Sequence, residues 1–148
     1  MDETGKQVFQ FFNEVGIIQQ LSAALFNKRL PDGLHVSHFS VLNHLVRLGD
    51  GKTPLALASA FQVSKGTMTN TLSKLSQRGL VRLAPHETDG RSKVVFITDE
   101  GRAFQQEAIG LLAPSIVALG EKIDWERVVD LLPELQRIRM VLDENRDI

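Results

Sequence analysis

Cysteine is absent from all 148 residues. That one omission excludes disulfides, thiolate zinc sites and a thiol nucleophile together, and it is in keeping with a reducing cytoplasm, the expected location. Long apolar runs are also missing. Nothing approaches the roughly 20 residues that a membrane helix needs, and the polar, acidic start from Met1 to Lys6 carries no export signal, so no membrane partner is expected. The chain has no Gly-rich phosphate loop, no Gly-x-Ser-x-Gly elbow and no Cys to pair with a His. No catalytic residue and no cofactor are therefore assigned. The nearest approach to a metal pair is His35 and His38, with His44 further along. Two imidazoles three residues apart near a helix start more often serve as surface groups or caps, so no metal ligand is assigned.

What is present is enough for a core. A chain of this length is expected to form one domain or one intertwined unit over 1–148, burying roughly 68–70% of the surface its unfolded form exposes. The net charge of −1 hides a division along the chain. Residues 52 to 93 hold seven basic residues (Lys52, Lys65, Lys74, Arg78, Arg82, Arg91 and Lys93) against Glu87 and Asp89, a local charge of +5. The remaining ten basic and 16 acidic residues give −6. A basic segment in an otherwise acidic chain is an electrostatic footprint suited to nucleic acid, although soluble domains also show such fluctuations.

The basic segment has a recognisable order. Thr53 is a good N-cap with Pro54 at the first helical position, and Leu55, Ala58 and Phe61 follow at helical spacing before a turn at Gln62 and Val63. Ser64 then caps a second helix. Met68, Leu72 and Leu75 form its apolar side, leaving Gly66, Asn70, Ser73, Lys74 and Gln77 opposite, with Thr67 at the margin. Two β-prone runs follow, Leu80 to Ala84 and Lys93 to Thr98. Between them Asp89-Gly90 is a hairpin-turn signal and Arg91 lies at the tip. Two short helices, a hairpin and a new helix make a winged helix-turn-helix, assigned to residues 34–98.

In this register the chain resembles the MarR family of bacterial transcriptional regulators. The family's wing reads Asp-Arg-Arg, three variable residues, Val, one residue, Leu-Thr, two residues, Gly. Here stand Asp89, Gly90, Arg91, Val95, Ile97, Thr98 and Gly101, so that only Gly90 and Ile97 depart from the pattern. Upstream, Gly79-Leu80-Val81 also fits, while Leu83 stands where an arginine is common and Arg82 is the candidate to replace it. The resemblance implies a double-stranded, pseudo-palindromic operator, a homodimer, and an arginine, Arg91, that enters the minor groove. It implies small amphipathic effectors bound between the reading head and the dimer helices, for which Phe9, Phe12, His38, Phe39 and Leu42 are the candidate lining. Lacking cysteine, the chain has no cysteine-oxidation switch of the kind some members use. Repression is the family's inclination.

Base edges are read by the N-terminal part of the second helix in such a motif, which selects Ser64, Lys65, Gly66, Thr67, Thr69 and Asn70. Asn70 can pair bidentately with adenine, the threonines can offer a hydroxyl or press a methyl on thymine, and Gly66 allows close approach. Lys74 and Arg78, with Lys65, are assigned to phosphates, and Arg82 and Lys93 to the backbone beside the wing. Asp89 is expected to orient Arg91 or cap the turn, since a carboxylate faces phosphates unfavourably. The rival class is a winged-helix protein-interaction or architectural module that reads no DNA.

The flanks are helical. Residues 7 to 30 carry Val8, Phe11, Phe12, Val15, Ile18, Leu21, Leu25 and Phe26 as a wide stripe, broken at Leu30-Pro31-Asp32-Gly33. A helix over His38 to Leu48 has Phe39, Leu42, Leu45 and Val46 inward and stops at Gly49, Asp50 and Gly51. A long helix capped by Thr98 runs from Asp99 to about Ile123, with Pro114 bending or restarting it. A last one is capped by Asp124 and kinked at Pro133. Its apolar positions, from Val128 to Leu142, exceed what one exposed helix needs. The terminal segments, 1–30 and 99–148, are accordingly assigned to dimerisation.

Overall fold

The computed structural model describes residues 1–147. In chain order it has α1 (Glu3–Asn27), α2 (Val36–Leu48), α3 (Pro54–Ala60), α4 (Lys65–Gln77), β1 (Val81–Pro85), β2 (Lys93–Ile97), α5 (Asp99–Gly120), α6 (Trp125–Asp130) and α7 (Leu132–Glu144). This mainly helical chain with a small β-wing has the winged helix-turn-helix order. It divides into two compact units, Met1–Leu112 and Ala113–Ile148, the division falling inside α5 two residues before Pro114.

Helix starts follow the caps written in the sequence. Thr53 Oγ1 accepts from the Ala56 N–H at 3.1 Å, Ser64 Oγ from Thr67 N–H at 3.1 Å, and Thr98 Oγ1 from Gly101 N–H at 3.0 Å. Each satisfies a backbone donor that the first turn leaves without a partner. Asp124 caps α6 in the same way. Between α3 and α4 the chain reverses at Gln62, which adopts a left-handed φ of 52° and donates its side-chain Nε2 to Ser59 O at 3.0 Å. That local bond offsets part of the cost of the left-handed conformation for a residue with a Cβ.

The core of the first unit gathers Leu34, Val41, Leu42 and Leu45 with Leu57 and Ala58, Met68, Leu72 and Leu75, Val81, Val95 and Ile97, and Phe104 and Ala108. Strands β1 and β2 pair antiparallel with Val81 opposite Ile97 and Leu83 opposite Val95, so this face of the ribbon turns inward. Arg82 and Phe96 stand opposite each other on the other face, where the guanidinium lies 4.4 Å from the ring centroid.

Several expectations are corrected. Val46 is exposed, and Val41 takes its place inside, because the buried stripe of α2 runs through His38, Val41, Leu42 and Leu45 at spacings of three and four. In α3 the buried residues are Leu57 and Ala58 while Leu55 is 65% exposed. Helix α1 ends at Asn27, three residues before the expected break, and Pro133 lies in the first turn of α7 rather than kinking a continuous helix. Neither α1 nor α7 has a single buried residue. Phe9, Ile18 and Leu21 of α1 are all more than 60% exposed. Among the described residues no helix is long and apolar enough to cross a membrane.

Candidate nucleic-acid interface

Helix α4 buries Met68, Leu72 and Leu75 and turns Gly66, Asn70, Ser73 and Gln77 outward. One flank of the helix faces the wing across a groove of about 580 Å³. Lys65, Thr69 and Ser73 line the helix side, and Leu83, Arg91 and Lys93 the wing side. Gln77, on the polar face of the helix, also lines it, as do Ser76 and Leu55, which the sequence does not mark for contact. Three cations and no carboxylate border this space, so its lining carries net positive charge. Leu55 had looked like a core residue; its exposed position beside Lys65 could have been inferred only from the wing's location.

The wing tip is held by hydrogen bonds to its backbone. Asp89 Oδ1 accepts from the Arg91 N–H at 3.0 Å, Asp89 O accepts from the Ser92 N–H at 3.0 Å, and the Ser92 hydroxyl lies 3.3 Å from Asp89 Oδ2. This is an Asx-type turn, the capping role proposed for Asp89. On the other side of the tip, His86 Nδ1 accepts from the N–H groups of Thr88 and Asp89. Arg91 is fixed through its main chain and exposed at its side chain.

Much of α4's hydroxyl chemistry is spent internally. Ser64 Oγ donates to Thr67 Oγ1 at 2.9 Å, Thr69 Oγ1 to Lys65 O at 2.9 Å, and Thr71 Oγ1 to Thr67 O at 3.1 Å. The side chains of Lys74 and Arg78 lie on the flank away from the wing. Arg78 Nη2 donates to the Asp32 carbonyl, and a Cβ built on Gly33 would lie about 3 Å from both Arg78 Nη2 and Lys74 Nζ. Arg82, stacked on Phe96, lies on the ribbon face opposite Leu83 and Lys93. The groove thus brings together Lys65, Thr69, Arg91 and Lys93 of the expected DNA set. Ser64, Gly66, Thr67 and Asn70 are exposed on α4 or at its cap, and Lys74, Arg78 and Arg82 stand apart from the groove.

Beside Lys74 and Arg78 lie two histidines. The His35 and His38 rings stack with centroids 5.8 Å apart, and His38 Nδ1 accepts from the His35 N–H at 2.9 Å. Burial holds the His38 pKa below the ordinary histidine value, and the nearby charges of His35, Lys74 and Arg78 add to the effect. Neutral His38 is therefore a capping acceptor. Among the described residues no group of three His, Cys, Asp or Glu is placed to share a metal ion.

The five residues expected to line an effector pocket lie on α1 and α2. Leu42 is fully buried, Phe39 packs on the core, His38 is buried at the start of α2, and Phe9 and Phe12 are exposed on α1. A second groove, of about 340 Å³, opens between α1, α2 and α4, bordered by Ala23, Asn27, His35, Phe61, Thr67 and Thr71 among others.

Gly66 tests whether α4 needs close approach. A Cβ there would meet only Ser64 Oγ, at 4.0 Å, so Gly66→Ala is expected to stabilise the chain by about 0.5–1 kcal/mol. The same methyl on the exposed face should weaken DNA binding. Thermal melts and binding titrations of one preparation check this, and a variant gaining stability without losing affinity would show that Gly66 has no role in contact.

A model described as MarR family matches residues 32–92. An HTH-type transcriptional regulator of Mycobacterium tuberculosis, MT0903.1, is 32% identical over 84 residues, covering 57% of this chain and 58% of that protein. The chain thus spans little more than half the length of the curated relatives it matches. Among solved structures, the transcriptional regulator BldR of Sulfolobus solfataricus has a TM-score of 0.79 at 27% identity, covering 95% of this chain and 99% of that one. A mutant MarR of E. coli complexed with operator DNA has a TM-score of 0.71 at 22% identity, covering 93% and 99%.

Proposed function

We propose, from the premise that this chain belongs to the MarR family, that it is a sequence-specific, DNA-binding transcriptional regulator. It acts in the cytoplasm as a homodimer and has no enzymatic activity of its own. Its regulatory sense is repression of a promoter, relieved by a small-molecule effector or a stress signal. The observation that carries the reading is the groove between α4 and the wing, bordered by Lys65, Arg91 and Lys93 with no carboxylate. Such a surface attracts a phosphodiester strand. The outward face of α4 lies next to it, with Asn70 able to pair with adenine in the major groove and Arg91 able to enter the minor groove.

The dimer reading rests on surface that one chain leaves uncovered. Helix α1 buries nothing while exposing Phe9, Phe12, Ile18 and Leu21, and a partner chain accounts for that surface. Two copies of α4 set roughly 34 Å apart would read a pseudo-palindrome. For the effector, we favour the groove between α1, α2 and α4. An occupant there would touch Thr67 and Thr71 and so act directly on the reading helix.

Selection of bound fragments from random DNA, followed by salt titration, tests the function. With three to five phosphate contacts per chain, log affinity against log salt should fall with a slope of about −5 to −9 for the dimer. Asn70→Ala should cost about 1–3 kcal/mol per half-site and relax preference at one base position. A slope near zero would remove DNA binding from the account, and an unchanged consensus would remove Asn70 from the base readers.

A further inference from the structure

We propose that Asp50 is a positioning residue for the wing: its single carboxylate ties the root of β2 to the first turn of α5. The loop after α2 carries positive φ values at both glycines, 106° at Gly49 and 75° at Gly51, a backbone that residues with a Cβ adopt only under strain. This path lays residues 50–52 along the free edge of β2. Gly51 N–H donates to Val95 O at 3.0 Å and Val95 N–H to Lys52 O at 2.8 Å, so the segment acts as a third, very short strand. The next inward donor on that edge is the part-buried Ile97 N–H, and it is met by a side chain. Asp50 Oδ1 accepts from it at 2.8 Å. The other oxygen, Oδ2, stands 3.4 Å from Arg102 Nη2 on α5.

This arrangement does more than add stability. The ion pair is half open to water, its side chains 28% and 50% exposed for Asp50 and Arg102, and a screened pair of that kind contributes little to folding. What it fixes is direction. Strand β2 carries Lys93 and adjoins the turn that presents Arg91, and α5 is the helix that continues into the second unit. One carboxylate gripping both sets the angle at which the ribbon leaves α5. The charge-assisted bond to Ile97 N–H is the stronger of its two contacts, and the Arg102 arm supplies the alignment. The inference rests on the reading that the wing meets DNA, and its test separates the two.

The test uses the full-length protein and three variants, Asp50→Ala, Asp50→Asn and Arg102→Gln. Amide hydrogen exchange at Ile97 reports the tether without any DNA. Asp50→Ala should speed that exchange by about tenfold or more, because the donor loses its acceptor. Asp50→Asn keeps a carbonyl oxygen there and should restore slow exchange. Operators with A·T-rich or G·C-rich flanks report the wing. Asp50→Ala, Asp50→Asn and Arg102→Gln should all lose flank discrimination several-fold, while the base preference set by Asn70 stays as in the wild type. Unchanged exchange in Asp50→Ala overturns the tether. Faster exchange with full flank discrimination overturns the positioning role, leaving an ordinary structural bond. A wild-type protein that shows no flank preference would sink the DNA reading of the wing, and the exchange result would still decide the tether by itself.

Discussion

Replacing Lys65, Arg91 and Lys93 together with alanine is expected to abolish tight DNA binding while leaving the fold intact. All three are exposed and border one groove, so their removal takes away charge and no core packing. In a dimer the change amounts to six cations, and counterion release then makes the log-log salt slope shallower by roughly five units. At about 0.15 M salt the loss of affinity is on the order of a thousandfold. The single lysine Lys74, which points to the loop at Gly33 on the other flank, should change the slope far less. Anisotropy titrations over a range of salt compare the two. A triple variant whose slope moves by under about two units would mean that phosphates do not run through this groove.

The second large effect is structural. Gly101 is buried in the first turn of α5, and a Cβ there would lie 2.0 Å from the Leu80 carbonyl oxygen and 2.7 Å from Ile97 Cγ1. The carbonyl cannot swing aside freely, because it accepts from Thr98 N–H at 3.1 Å, while Thr98 Oγ1 donates to Gly79 O at 2.6 Å. Gly101→Ala must therefore separate α5 from the start of β1. The expected cost is at least about 3 kcal/mol, an overpacking penalty at the upper end because backbone has to move. In a chain of this size that lowers the melting temperature by roughly 10 °C. Calorimetry checks it, and a variant melting within about 2 °C of wild type would show that the junction yields easily.

Features decided within a few residues were legible in the sequence. Thr53, Ser64, Thr98 and Asp124 are all caps, the Asp89 turn forms as its residues imply, and the 3.6-residue period separates Met68, Leu72 and Leu75 from Asn70. Features decided by distant neighbours were not. Arg78, expected at a phosphate, also donates to a carbonyl 46 residues away, a contact that no local pattern shows. Arg82 appeared able to substitute for the arginine missing at Leu83, but the strand's two-residue alternation puts neighbours on opposite faces, and Phe96 lies across from it. The phenylalanines of α1 suit both a pocket and an interface, and periodicity alone does not tell these apart. Asp50 read as part of a glycine-rich stop. Nothing local shows that its carboxylate faces a strand 47 residues on.

The inward-turned hydroxyls of α4 have a consequence for information rather than for stability. Thr69 and Thr71 spend their protons on the helix's own carbonyls, and Ser64 spends its proton on Thr67. What Thr69, on the groove beside the wing, then presents to a partner is a lone pair and a methyl. Lone pairs suit the exocyclic amines of adenine and cytosine, and methyls suit thymine. Guanine offers two acceptors in the major groove and needs donors. On α4 donors come from Lys65, Asn70, Ser73 and Gln77, and from Thr67, whose hydroxyl accepts from Ser64 and keeps its own proton. On the proposed reading of α4 the alphabet varies along the helix: Thr69 suits amines and methyls, while Lys65, Thr67, Asn70 and Gln77 supply the donors that guanine needs.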